Sequence, residues 1–316
     1  MDTANSIPSV PKSGPKDVFM HLMAFVALYV SVVSLIALLF QCINFWYPDP
    51  LSFYYESALS GIRWSASALI VMYAVYVGVS WMIGKELSAL PEKKNMKVRK
   101  WLTYLTLFAA ALTVIIDIIT LIYNYLGGDI TMSFFLKILT VLFVAGLVFA
   151  YYIWDLQTTA DRKKLKIFAW VVSLLVLAAV VTGFVLVGSP ATQRARRFDQ
   201  QRVNDLQSIQ GQVVNYWSDK GSLPRSLSDL NSSISGFVTP PDPETKGNYE
   251  YFVKSTLNFE LCANFNQASL NQAQVPSQAI YPNYAAENWT HSTGRVCFDR
   301  TIDPERDKIY QPAPVK

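Results

Sequence analysis

The sequence predicts a membrane-embedded all-α bundle of five transmembrane helices, followed by a C-terminal α+β domain in which a long helix packs on a small antiparallel sheet. Three observations predict it. Of the 316 residues, 52% are hydrophobic and only 16% are charged, the profile of a membrane protein. The apolar residues gather into five runs within the first 190 positions. Beyond them Gln, Asn, Ser, Asp and Arg take over, in segments with helical and then alternating apolar spacing. The expected organisation is a disordered cytoplasmic tail at 1–17, a five-helix transmembrane domain at 18–188 and an extracytoplasmic domain at 189–316.

The runs extend from Val18 to Ile43, Ile62 to Ile83, Trp101 to Leu126, Met132 to Trp154 and Ile167 to Val187. A helix needs about 20 apolar residues to cross a hydrocarbon core. Backbone groups in lipid must hydrogen-bond to one another, and within a single segment a helix achieves this. The first run is too long for a signal-peptide core and has no small-residue cleavage site ahead of Phe45, Trp46 and Tyr47, so it is expected to be retained. Tyr47, Phe53, Tyr54 and Tyr55 in the first connection read as an interfacial aromatic belt. Cys42, near the end of the first helix, reads as a small apolar packing residue.

Charge orients the helices. The formal net charge of +4 comes from 27 basic and 23 acidic residues, and the basic ones cluster between apolar runs. That distribution carries topology and argues against nucleic-acid binding. Lys85, Lys93, Lys94, Lys97, Arg99 and Lys100 separate helices two and three, and Arg162, Lys163, Lys164 and Lys166 separate four and five. The connections at 44–61 and 127–131 contain no Lys or Arg. Positive loops stay inside, which predicts a multi-pass cytoplasmic (inner) membrane protein with its N-terminus inside and its C-terminal domain outside. Arg194, Arg196, Arg197 and Arg202, just after helix five, pull the other way but are outnumbered by the ten basic residues of the two internal loops.

After Gly188 and Pro190, apolar residues recur at Val203, Leu206, Ile209, Val213 and Tyr216, spacings that place them on one face of a helix over about 193–219. The helix is expected to continue helix five outward as a rod, mechanically coupled to it if Gly188, Ser189 and Pro190 kink rather than break the chain. Gly221 suits the left-handed residue that closes a helix. Ser226 to Leu230 reads as one short helical turn, and Pro240, Pro241 and Pro243 as an extended loop, because proline lacks an amide donor. Strands are expected over Tyr249–Lys254, Asn258–Phe265 and Gly294–Ile302. Alternation puts Cys262 and Cys297 on the polar faces of the second and third strands. If those strands are neighbours the two cysteines fall at disulfide range, and a bridge would stabilise the domain by roughly 3–4 kcal/mol; two unpaired thiols are the alternative.

The stretch "RVNDLQSIQGQVVNYWSDKGSLPRSLSDL", then "TPPDPETKGNYEYF" and "FELCANF", resembles the globular part of type IV pilins and type II secretion pseudopilins. In that family an amphipathic helix ends in a Tyr-x-x-Asp-x-Gly-x-x-Pro-like run, followed by a short Leu-containing helix, a Pro-Asp-Pro loop and an antiparallel sheet. The matching residues are Tyr216, Asp219, Gly221, Pro224, Leu227, Leu230, Pro241, Asp242, Pro243 and Tyr249. Family members begin with a processed leader and an apolar helix that carries a glutamate. Here "TGFVLVGSP" at 182–190 has no acidic residue and four helices precede it, which predicts a tethered relative of a pilus subunit. The first part, "FMHLMAFVALYVSVVSLIALLFQ" through "ALSGIRWSASALIVMYAVYVGVSW", resembles an uncharacterised bacterial multi-helix membrane domain, a resemblance that implies no activity.

Charges inside a membrane are costly and are the first functional candidates. Asp117 lies near the middle of helix three, with Asn124 two turns later on nearly the same face. Such a carboxyl either carries protons or cations or accepts hydrogen bonds that fix helix packing. Glu56, Arg63, Asp129 and Lys137 read as interfacial charges, the two cations snorkelling to the outer surface, with an outward-facing ligand site as the alternative. His21 and His291 have no partners at metal spacing, and no hydrolase, nucleotide or phosphate motif is present. Asp299, Asp303, Glu305 and Asp307 offer oxygen ligands for calcium, as a late loop does in some pseudopilins, while interspersed Arg300, Arg306 and Lys308 fit a solvated loop.

These residues predict a non-enzymatic integral membrane protein without a cofactor. It would display a pilin-like domain outside the membrane for envelope assembly, with the lipid bilayer and an envelope protein or a second copy as partners. A channel or transporter with Asp117 in the pathway, or an extracytoplasmic ligand receptor, are the alternatives.

Overall fold

The structure, a computed structural model, describes residues 14–48, 55–89, 96–128, 131–156, 162–269 and 288–304. The chain divides into two compact units, Met1–Val187 and Gly188–Lys316.

The first unit consists of α1 (Pro15–Trp46), α2 (Tyr55–Ala89), α3 (Lys97–Gly127), α4 (Met132–Leu156) and α5 (Arg162–Val187). All five contain a stretch long and apolar enough to cross a membrane. Large apolar side chains such as Trp64, Phe108, Leu126 and Trp170 point outward, a surface that water would not tolerate and lipid does. The chain is therefore a membrane-spanning helical protein. Helices run past the apolar runs at several ends: α1 starts at Pro15, inside the expected tail, and α2 starts seven residues before Ile62. Proline in the first turn and the Asp17 carboxylate, which accepts the Gly14 amide at 3.3 Å, begin α1. Gly128, with φ of +78°, closes α3.

Many serine and threonine hydroxyls inside the spans are satisfied locally. Ser31, Ser65, Thr106, Thr113, Thr120, Thr140, Ser173 and Thr182 each donate to the carbonyl four residues earlier. Helix α1 touches each of the other four. Its best-packed seam joins Leu38 and Cys42 to Ile62, Ala66 and Leu69 of α2 and to Val176, Ala179 and Val180 of α5. Gly183 allows this approach: a Cβ there would lie 3.0 Å from Leu38 Cδ1 and 3.3 Å from Ile62 Cγ2. Ion pairs Lys16–Glu86 and Arg99–Asp155, at 2.5 and 2.7 Å, join the start of α1 to the end of α2 and the start of α3 to the end of α4. They fix those neighbours as antiparallel.

The second unit opens with α6 (Pro190–Lys220), continues through a 3-10 turn (Leu227–Leu230) and ends in the strands β1 (Glu250–Val253), β2 (Asn258–Phe265) and β3 (Gly294–Thr301). The sheet is antiparallel in the order β1-β2-β3. Its core joins Val203, Leu206, Ile209, Val213 and Trp217 of α6 to Phe259, Leu261, Ala263, Phe265 and Phe298 of the sheet. The apolar stripe thus ends at Trp217, with Tyr216 only partly buried beside it. The expected rod is corrected: α5 ends at Val187, Gly188 takes φ of +79°, and Ser189 Oγ caps α6 by accepting the Thr192 amide at 3.1 Å. Two separate helices result because a left-handed residue interrupts the hydrogen-bond ladder. Gly221, with φ of +69°, closes α6.

Candidate functional site

In the membrane-spanning unit the structure places Asp117 on α3 as a buried residue, flanked along its helix by the exposed Ile115, Ile116, Ile118 and Ile119. Its Oδ2 has no hydrogen-bond partner among the described residues. Asn124 is not joined to it: the Asn124 amide donates to the Thr120 carbonyl of its own helix at 2.8 Å. The two polar positions share a face but not a bond. Arg63 and Lys137 are half-buried. The Glu56 side chain and Asp129 lie outside the described residues.

In the C-terminal unit, Cys262 and Cys297 face each other across β2 and β3 and form a disulfide. The bridge sits on the sheet face opposite α6, as strand alternation requires. Arg295 crosses it, 3.6 Å from Cys262 Sγ, to reach Glu250 of β1 at 2.6 Å. Beside it Lys254 meets Glu260 and Asp299, each at 3.0 Å. This outer face is therefore a belt of ion pairs around one covalent link. Glu260 lies near the two sulfurs, but sulfurs bonded to one another do not offer the thiolates that a metal would need. Of the calcium candidates, Asp299 pairs with Lys254 and Asp303 follows β3 as an exposed residue. Glu305 and Asp307 lie outside the described residues.

The densest polar arrangement is one that charge counting along the sequence missed. Arg202 of α6, 2% exposed, sends Nη1 to Asp199 at 2.7 Å, Nε to Asp242 at 2.6 Å and Nη2 to Glu244 at 2.8 Å. Asp242 is held in turn by the amides of Glu244 and Thr245, at 2.9 and 2.8 Å. Asp199 accepts the amides of Asn266 and Gln267, both at 2.8 Å, just past the end of β2. One turn along α6, Asp205 accepts the Tyr249 hydroxyl at 2.7 Å. A single guanidinium thus ties the helix to the Pro-Asp-Pro loop, and Asp199 ties it to the sheet. Burial pushes the Asp242 carboxyl up, but bonds from Arg202 and from the Thr245 and Glu244 amides outweigh this and hold it down to about 2. Burial and the Asp205 carboxylate push the Tyr249 hydroxyl well up. The only sequence signal was the helical spacing of Asp199 and Arg202. Their partners in the loop are some 40 residues away.

Residues 17–152 match the model of a family described as a domain of unknown function, DUF5671. The match spans α1 to α3 and most of α4 and carries no activity with it. No curated protein and no solved structure matches the chain.

Proposed function

We propose that the chain is a non-enzymatic protein of the cytoplasmic membrane whose five helices anchor a pilin-like domain outside, where it contacts another envelope protein or a second copy. The observation that carries this reading is the disulfide. Such bonds persist in oxidising compartments and are rare in the cytosol, so the C-terminal unit belongs outside. The basic loops support the same orientation, since five crossings put the two ends of the bundle on opposite sides with Lys85, Lys97, Arg99, Lys100 and Lys166 inside. Of the four arginines after α5 that pull the other way, Arg202 is neutralised by three carboxylates, which leaves Arg194, Arg196 and Arg197 against the basic internal loops.

The pilin-like assignment rests on element order. An amphipathic helix closed by glycine, a short helical turn, a Pro-Asp-Pro loop and an antiparallel sheet packed on the helix follow one another as they do in pseudopilins. The fold does not dictate the role. Two experiments test the reading. A periplasmic reporter fused after Lys316 and another inserted near Lys93 should be active and inactive respectively, and the reverse pattern refutes the orientation. Crosslinking in native membranes should return the chain joined to an envelope protein or to itself, and recovery of only uncrosslinked chain refutes the display role.

A second reading makes the bundle a channel or carrier. It is favoured by Asp117, a buried carboxyl whose Oδ2 finds no hydrogen bond among the described residues, a costly placement in lipid. Proton or cation flux through reconstituted vesicles that is lost in Asp117→Asn would support it. Absent or unchanged flux removes it.

A further inference from the structure

At the end of the bundle where α1 and α3 begin, a groove of about 410 Å³ lies between the two helices. Val18 and Leu22 line it from α1, and Lys97, Val98, Trp101 and Leu102 from α3. All but one of these side chains are apolar or aromatic, and the exception is a cation at the start of α3.

Three of the other described cations at this end are engaged. Lys16 pairs with Glu86, Arg99 pairs with Asp155, and Lys85 lies over the Trp81 ring. Lys97 and Lys100, three residues apart and both exposed, have no ion-pair partner among the described residues. The first turn of α3 contains no acidic residue that could supply one. A greasy slot beside two unpaired lysines, on a surface that otherwise faces lipid, complements one kind of molecule: an apolar chain carrying a negative head.

We propose that this groove binds an anionic glycerophospholipid, one acyl chain lying against Val18, Leu22, Val98 and Trp101 while its phosphate meets Lys97 and Lys100. The exposed Trp101 indole suits the boundary between chain and headgroup, since its ring is apolar and its N–H is a donor. A zwitterionic lipid offers the same chain, but its ammonium group weakens the attraction of the lysines. Basic pockets between transmembrane helices recognise anionic headgroups in this way. The inference rests on the membrane-spanning bundle and does not depend on which side of the membrane the C-terminal unit occupies.

Native mass spectrometry of the full chain in a non-ionic detergent, titrated with phosphatidylglycerol or phosphatidylcholine, tests it. One phosphatidylglycerol should bind in preference to phosphatidylcholine, and Lys97→Ala with Lys100→Ala should weaken phosphatidylglycerol binding roughly tenfold or more while leaving phosphatidylcholine unchanged. Val98→Trp, which fills the groove, should weaken both. Equal binding of the two lipids, or an unaltered phosphatidylglycerol complex in the double lysine variant, overturns the proposal. Displacement by inorganic phosphate alone also overturns it, because the site would then read phosphate without a lipid chain. A readout on the unaltered lysines guards against variants that fail to fold. Brominated phosphatidylglycerol should quench a component of the wild-type tryptophan fluorescence that is missing in Trp101→Phe, and identical quenching of the two proteins counts against the groove.

Discussion

Replacing Arg202 by Met tests whether one guanidinium holds the C-terminal unit together. Met keeps an apolar stem of similar length but removes every donor. Asp199 and Asp242, with side chains only 5% and 10% exposed, would stay buried and lose their counter-charge. Breaking a buried ion pair from one side costs about 3–5 kcal/mol, a large fraction of the roughly 5–15 kcal/mol that a domain possesses. Urea unfolding of a Gly188–Lys316 fragment, which contains its own apolar core, would report the loss through the buried Trp217. The pH dependence gives a sharper signature. In the wild type Asp242 is depressed to about 2, so its pairing contributes about 2 kcal/mol that is present above pH 4 and is lost as pH falls towards 2. Without Arg202 the same buried carboxyl is pushed up, so acidification should narrow the deficit of the variant. Adding Asp199→Asn and Asp242→Asn to Arg202→Met should recover part of the loss at neutral pH. A cost below about 1 kcal/mol, the range of a solvated surface pair, would refute the reasoning.

Three further outcomes are expected. Cys262→Ala with Cys297→Ala should lower the urea stability of the same fragment by about 3–4 kcal/mol, since the bridge closes a loop with a sequence separation of 35. Gly183→Leu should lower the melting temperature of the full chain in detergent, because the added side chain starts 3.0 Å from Leu38 and overpacking costs about 1–3 kcal/mol. Gly221→Val should destabilise the fragment by about 1–2 kcal/mol, measured in urea, because φ of +69° penalises a side chain even though nothing lies within 4 Å of the added Cβ.

The membrane spans were legible because run length is a one-dimensional property: Met132 begins both the apolar run and α4, and Val187 ends both the fifth run and α5. Strand β2 was legible to the residue because Phe259, Leu261, Ala263 and Phe265 alternate, and the same alternation placed Cys262 opposite Cys297. The start of α2 at Tyr55 was not legible, since a helix continues through polar residues once nucleated, whereas a hydropathy criterion stops at them. The Arg202 cluster was hidden for a different reason. In the sequence Arg202 is one of several charges after a span; its meaning comes from Asp242 and Glu244, which only the folded chain brings to it. Asp117 was identified from its place in an apolar run, but that its Oδ2 has no hydrogen-bond partner among the described residues required the packing of the surrounding helices.

The junction at Gly188 and Ser189 makes the C-terminal unit a portable cassette. Helix α6 carries its own start signal, Ser189 as the cap with Pro190 behind it. A designer could graft the second unit onto an unrelated anchor at Ser189 and keep that start signal intact. Recombination during descent could exploit the same seam, joining an old membrane anchor to a head that evolved elsewhere.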